Sequence, residues 1–303
     1  MTIKSTLSAL LFLATTVVSS QNLLNILEKE RSNNPTYAEA TFSHSRITFG
    51  QSTQTRKKGV LDVFVSNRFW NTPADRSQSF IADRMSARIA VEYGITDHLL
   101  FGLGGTTFDG RFDGFLKYNV IKQRTDGQGF PFNVTLLQNT TYFSEKLPVD
   151  SNGNSYSSNN NNSNRFSFTT QILISRKINS KLSLQLAPTF VKRGLEYNKK
   201  DPQEHFALGL GGRYKLGKHV SLVSEYYYVT NPIKSFDTYG PFSIGVNWQL
   251  SRVMVQLMLT NALNMTEDAF ITETRNNFNF RSPNLNFGFN FTYTFHLSNA
   301  LID

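Results

Sequence analysis

The chain has 303 residues, 39% of them hydrophobic, a net charge of +9 and no cysteine. Without cysteine there is neither a disulfide framework nor a lipid-anchored lipoprotein terminus, so stability must come from strand pairing and burial. Mean hydropathy is −0.32, and after residue 20 no stretch approaches the ~18 apolar residues of a spanning helix; this excludes a helical membrane protein but not a barrel, in which only alternate strand residues meet lipid.

Residues 1–20 carry Lys4, an apolar core from Leu7 to Val18 and small residues up to Ser20, the layout of a cleaved signal peptide. Leu23, Leu24, Ile26 and Leu27 then fall at helical spacing before Ser32, Asn33, Asn34 and Pro35, which predicts a short amphipathic N-terminal helix and a linker. Ala40 to Phe49 has strand character, with Phe42, His44 and Arg46 on one side, while Gln51 to Lys58 is polar and strand-poor. Residues 21–58 therefore read as a periplasmic helix and linker, with a lumen plug as an open alternative for 36–58.

From Val60 onward, twelve strands are predicted, near 60–69, 84–93, 98–106, 111–120, 131–142, 165–176, 181–191, 205–216, 219–229, 241–250, 252–261 and 285–295. The last shows the pattern best: Leu285, Phe287, Phe289, Phe291, Tyr293 and Phe295 alternate with Asn286, Gly288, Asn290, Thr292 and Thr294. Short turns at Gly94 to Asp97, Asn179–Ser180, Gly217–Lys218 and Ser251 alternate with long polar segments at 70–83, 143–164, 193–204, 230–240 and 262–284. That asymmetry is the signature of an antiparallel up-and-down transmembrane β-barrel over residues 59–303 with both termini on the short-turn side. Two connections break the rule, 107–110 being short and 121–130 long. The Asn159 to Asn162 tract is too polar to bury and is expected to be mobile and external.

Alternation alone does not say which face points outward, so a soluble β-sandwich or lipocalin-like barrel is the competing all-β reading. The polar faces favour the membrane: Ala207, Gly209, Gly211 and Arg213, or Ser243, Gly245, Asn247 and Gln249, are small or uncharged residues that suit a crowded lumen. With the apolar face in lipid, the inner wall carries Asp62, Arg68, Arg84, Arg88, Glu92, Asp113, Lys117, Arg213 and Glu225. Charges of both signs on a confined wall either pair as a structural network or line a permeation path. In the second case Arg84 and Arg88 favour anions, and Glu92, Asp113 and Glu225 blunt that preference.

The histidines, His44, His98, His205, His219 and His296, have no metal-ligand spacing and read as isolated surface or turn residues. No nucleophile elbow, metalloprotease helix or phosphate loop occurs. A hydrolase assembled from Ser, His and acidic residues on different strands would leave no trace in spacing, but the expectation is no enzyme, no cofactor and no metal. In the loop from Thr260 to Glu273, Leu263, Met265, Phe270 and Ile271 are out of place in open water. Met265, Glu267 and Phe270 are therefore candidates for a loop folded inward to constrict the lumen, or for a partner site.

Gly59-Val60-Leu61-Asp62, Glu92 to Asp97, Asp113 to Tyr118, Phe206 to Lys215, Glu225 to Tyr228 and Met265-Thr266-Glu267 together resemble a family of Gram-negative outer-membrane β-barrels of uncharacterised function. The resemblance runs over roughly 40–295 and implies the barrel and the outer membrane, but no substrate or catalytic residue. The chain departs from the usual pattern by running past Phe295 through His296 to Asp303, so the insertion signal is internal or the tail is a short periplasmic extension. The expected function is porin-like passage of small solutes, with a leaning toward anions, and the alternative is a plugged structural or partner-docking barrel. A lipid transporter would need an opening in the wall, which strand glycines such as Gly102, Gly104 and Gly245 permit but do not establish. Expected partners are outer-membrane lipid, the barrel-insertion machinery and small anionic solutes, and no nucleic acid.

Overall fold

The computed structural model describes residues 35–71, 82–147, 149, 162–198, 200–278 and 285–297. The expected signal peptide, the helix at 21–31, residues 159–161 of the Asn tract and the tail beyond 297 lie outside the described residues. Twelve strands form one closed barrel. They are β1 (Val60–Trp70), β2 (Arg84–Gly94), β3 (Leu99–Thr106), β4 (Arg111–Ile121), β5 (Asn133–Phe143) and β6 (Phe166–Lys177). The circuit continues through β7 (Leu182–Lys192), β8 (Glu204–Lys215), β9 (Val220–Val229), β10 (Phe242–Gln249), β11 (Val253–Thr260) and β12 (Asn286–His296). Each strand pairs antiparallel with its neighbours in sequence, and β1 closes on β12 through pairs such as Val65 with Phe291. Closure leaves no unpaired edge, which a structure surrounded by hydrocarbon requires.

The period-two pattern is resolved in the membrane sense. Ile89 (59% exposed), Phe206 (56%) and Tyr228 (59%) face outward, whereas Thr135 and Gln171 are fully buried inside. A soluble sandwich or lipocalin would put its large apolar side chains inward, so that alternative is overturned. Aromatic residues cluster at both ends of the outward face, with Tyr93, Tyr118, Tyr214 and Trp248 toward the short turns and Phe112, Phe168, Phe206 and Tyr228 toward the long loops. These are the positions of the two interfacial girdles.

Because register errors invert every side chain, the pairing fixes which face meets lipid. Phe291 lies at the centre of β12, points outward and is 39% exposed. Phe291→Arg is expected to cost about 2–4 kcal/mol of assembly, the magnitude for a cation at the bilayer midplane. Heat-modifiable gel mobility after refolding into vesicles checks this, and undiminished folding would mean that the outward assignment is wrong.

Among the described residues the α-helix is α1 (Glu267–Thr272), in the β11–β12 connection. The two irregular connections are present, and one has a visible cause. The long 122–132 segment pairs with the chain entering the barrel: Ala38 N donates to Gln123 O (2.8 Å), Thr125 N to Thr36 O (2.8 Å), and Tyr37 bridges Arg124.

Candidate functional site

Residues 41–53 do not form a strand of the sheet, although the alternation of Phe42, His44 and Arg46 predicts one. They enter the lumen at the short-turn end, reverse, and leave at the same end, where Lys58 N donates to Asp97 Oδ1 (2.9 Å) and Gly59 N to Gly94 O (2.9 Å). The reversal is closed by Ile47 N to Gly50 O (2.9 Å), Ser52 N to Ser45 O (2.7 Å) and the Arg46–Gln51 bridge. Thr41, Ser45, Thr48, Gln51 and Ser52 are wholly buried.

A buried backbone must have its polar groups paired, and here the wall's side chains take the place of a partner strand. Lys117 Nζ donates to Ser45 O (2.8 Å), Gln256 Nε2 to Ile47 O (2.8 Å), Asn290 Nδ2 to Thr48 O (2.9 Å), Gln185 Nε2 to Gln51 O (2.7 Å) and Thr135 Oγ1 to Thr53 O (2.9 Å). In the other direction Glu225 accepts from Thr48 N, Thr48 Oγ1 and Gly50 N, and Gln185 Oε1 accepts from Thr53 N (3.0 Å). Gly211 leaves room for the hairpin, since a Cβ there would sit 2.5 Å from Ile47 Cδ1.

The loop after β11 closes the other end. Met265, Glu267 and Phe270 are all buried, at 4%, 0% and 0% exposure, and α1 meets the hairpin tip. Arg46 Nη1 lies 2.9 Å from Glu267 Oε1, Gln51 Nε2 donates to the same oxygen (2.9 Å), and the Phe49 and Phe270 rings are 4.7 Å apart. The space beside the tip, bounded by residues including Phe64, Arg68, Arg88 and Met265, is about 10 Å³, roughly enough for one water.

Of the predicted wall residues, Asp62, Arg68, Arg88, Glu92, Asp113, Lys117, Arg213 and Glu225 are buried. Arg84 instead sits exposed at the long-loop end of β2, where the barrel wall gives out. The Arg84–Arg88 ladder is therefore not a pair of free cations. Arg88 is bidentate on Asp113 (2.9 and 2.6 Å), with its guanidinium packed where a Gly104 Cβ would be. Asp62 binds Arg56 (2.5 Å) and lies 3.4 Å from His44 Nε2, while Glu92 accepts from Ser45 Oγ and is 3.7 Å from Arg46 Nε. Arg213 donates to Ser43 Oγ and Ala40 O (3.0 Å each).

A second charged cluster, absent from the sequence expectation, fastens the long-loop end. Arg111 contacts Asp109 (3.0 Å), Asp268 (2.9 Å) and Glu273 (2.7 Å), and Glu273 also binds Arg193 (2.6 Å). These residues lie at strand ends and in loops, where strand alternation carries no information. Burial alone would push the Glu273 carboxyl up, and the guanidiniums of Arg111 and Arg193 outweigh it, holding the carboxyl below the ordinary glutamate range.

His44 and His205 are buried rather than on the surface. His205 Nδ1 is paired with Asn231 O (2.7 Å), and His44 Nδ1 faces Ser45 Oγ (3.0 Å). With Asp62 behind His44, the set has the residue types of a hydrolytic triad. Ser45, however, is inaccessible and hydrogen-bonds to Glu92, so the set offers no exposed nucleophile. Among the described residues no cluster of His, Asp and Glu is arranged to hold a metal.

The chain belongs to the family described as a membrane-bound beta barrel domain (DUF5777), which matches residues 42–295. This DUF5777 match begins at the lumen hairpin, so the family unit includes the inner segment as well as the wall. Solved structures similar to this DUF5777 barrel include the KdgM porin, with 9% identity, a TM-score of 0.47 and coverage of 78% of this chain and 99% of that one. The COG4313 outer membrane channel from Pseudomonas putida F1 has 12% identity, a TM-score of 0.46 and coverage of 80% and 98%. The NanC porin has 10% identity, a TM-score of 0.45 and coverage of 78% and 98%. No curated protein matches the chain.

Proposed function

We propose that this protein is an outer-membrane channel for small solutes, held closed by its own N-terminal hairpin together with the α1 loop that the hairpin tip holds in place through Arg46 and Gln51. The observation that carries the reading is the chemistry of the hairpin's seat. The seat is made chiefly of side-chain hydrogen bonds from the wall, with Phe42, Ile47 and Phe49 as its apolar anchors. Each such hydrogen bond is worth only about 1 kcal/mol net because water replaces it, so withdrawal mainly rehydrates polar wall, and the apolar contacts that it gives up are those of Phe49 with Leu173, Val191 and Tyr227 and of Ile47 with Val223. The wall behind the hairpin is polar or charged at most inward positions, from Asp62, Arg88 and Lys117 to Asn247 and Asn290, as an aqueous path requires, and is interrupted by apolar patches such as Leu100, Phe115 and Leu137.

Charge selectivity in this reading belongs to the mouth. With the hairpin withdrawn, the buried wall carries Arg68, Arg88, Lys117 and Arg213 against Asp62, Glu92, Asp113 and Glu225, which balance, while Arg111 at the long-loop end is held by Asp268 and Glu273. At the short-turn end, taken as periplasmic, a polar cavity of about 240 Å³ is lined, apart from the hairpin's own Ser43 and His44, by Lys57, Arg252 and His296 and by Arg56, which Asp62 holds, with no acidic residue in its lining. An anion preference therefore rests on that basic vestibule. Lys57→Ala with Arg252→Ala is expected to shift the reversal potential in a salt gradient toward neutrality, and an unchanged potential would remove the vestibule from the path.

Closure is tested by a reversible lock. Thr53 Oγ1 and Ser175 Oγ are 2.6 Å apart, and the chain has no cysteine, so Thr53→Cys with Ser175→Cys should form one disulfide between hairpin and wall. In planar bilayers the reduced protein is expected to show discrete openings and the oxidised protein none. If the reduced protein is folded, inserted and silent, the second reading holds: a permanently plugged barrel that docks a partner. The density of buried ion pairs around Arg46 and Arg111 is what favours that alternative.

A further inference from the structure

The outer wall carries a feature that solute passage does not use. Among outward-facing strand positions the charged residues are Arg176, Lys192 and Glu204. Lys192 and Glu204 face each other across β7 and β8 at 3.6 Å. Arg176 has no carboxylate partner among the described residues; its guanidinium lies over the Phe132 ring, 5.5 Å from the centroid. A cation on the lipid face without a partner is costly unless it reaches polar headgroups or binds an anion.

The pairing register places Arg176 at the end of a dent. Arg176 pairs with Leu184, Leu184 with Gly212, and Gly212 with Ser224, so one outward row runs from the cation onto two successive small residues. The row above it, Ile174, Leu186, Leu210 and Tyr226, is large and apolar. The result is a groove of about 630 Å³ on the outside of β6–β9. Its floor asks for no polar partner, because the Ser224 hydroxyl already donates to Ser243 O (2.8 Å). Arg176 is the penultimate residue of β6, next to the short turn, at the level of the membrane–water boundary.

We propose that this groove is a binding site for one glycerophospholipid of the periplasmic leaflet, its acyl chain lying over Gly212 and Ser224 and its phosphate on Arg176. A guanidinium matches phosphate in a two-pronged, charge-assisted contact, and the apolar groove beside it fits a chain and not a free anion. A second copy of the barrel could also fill an apolar dent, but it would have to bring a carboxylate to Arg176, and the outward strand faces offer only Glu204, already paired with Lys192.

Native mass spectrometry of the full-length protein, released from detergent after titration with palmitoyl-oleoyl phosphatidylglycerol, tests this site. The wild type is expected to retain one lipid per barrel. Retention is expected to fall about tenfold in Arg176→Gln, the effect of losing one charge-assisted hydrogen bond, and in Gly212→Phe, which fills the groove. A Cβ at Gly212 would lie at ordinary contact distance, 3.6 Å from Leu184 Cδ2, so that variant is expected to fold, with heat-modifiable mobility as the check. Equal retention by all three folded proteins would overturn the site. A wild-type dimer that Gly212→Phe converts to monomer would assign the groove to a second copy instead.

Discussion

Arg46→Met is expected to unseat the hairpin and produce a barrel that conducts without any trigger. Arg46 is 2% exposed and stands at the junction of hairpin, wall and α1: Nη1 reaches Glu267 (2.9 Å) and donates to Phe49 O (2.8 Å), and Nε lies 3.7 Å from Glu92. Its guanidinium carbon is 5.8 Å and 5.9 Å from the Phe64 and Phe115 ring centroids, in cation–π range. Methionine fills most of the same volume, so little of the effect comes from a cavity. The loss is electrostatic: Glu267 and Glu92 become buried carboxylates without their cation, and breaking such a pair costs about 3–5 kcal/mol. That exceeds any single hydrogen bond in the hairpin's seat. The wall is untouched, so heat-modifiable mobility should remain that of a folded barrel while conductance rises. Arg46→Lys keeps the charge but not the fork and should give an intermediate, flickering channel. A folded, silent Arg46→Met barrel would show that the hairpin does not depend on this junction and would weaken the gating reading.

Much of the wall was legible because a barrel strand writes itself twice, once in the alternation and once in the turn that ends it. The predicted β12, near 285–295, and the observed Asn286–His296 differ by one residue at each end. The hairpin is half legible: Phe42, His44 and Arg46 do lie inside, but alternation implies a strand where the backbone is served by side chains from seven wall strands, the seventh being β10, whose Asn247 Nδ2 donates to Ile47 O (3.3 Å). No local pattern reports that a carbonyl will be met by Gln256 or Asn290, more than 200 residues away. Arg111, Arg193 and Glu273 are not legible in the sequence for a related reason. Their meeting depends on closure of the barrel and on the path of a long loop. The one signal available was Leu263, Met265, Phe270 and Ile271, apolar residues in a loop, which do mark the segment that turns inward. Arg84 and Arg88 share a face by spacing, yet the β2–β3 ladder ends at Arg88, so Arg84 is flanked by β1 alone and is exposed.

Glu273→Ala is expected to release α1 from the long-loop end. Glu273 takes Arg111 Nη2 (2.7 Å), Arg193 Nη2 (2.6 Å) and Tyr197 OH (3.1 Å), joining the start of β4, the end of β7 and the inward loop through one carboxylate. Its removal leaves two buried guanidiniums short of a counter-charge, a cost of about 3–5 kcal/mol. Arg111 keeps Asp268 (2.9 Å), so the cost should fall more on the Arg193 side. The readout is hydrogen exchange at Phe270 and Glu273, whose amides donate to Thr266 O (2.9 Å) and Ala269 O (2.8 Å). In the variant the exchange at Phe270 should rise while the strand amides of β1 and β12 stay protected. The wild type should show the same loosening with acid. Because the folded state holds the Glu273 carboxyl below its ordinary value, its contribution is complete above about pH 4.3, the ordinary glutamate pKa, and is lost as pH falls through the lowered value. Glu273→Gln should be loose at neutral pH and lack this acid step. An acid step that persists in Glu273→Gln would place the responsible proton elsewhere in the cluster, with Asp109 and Asp268 as the remaining carboxylates on Arg111.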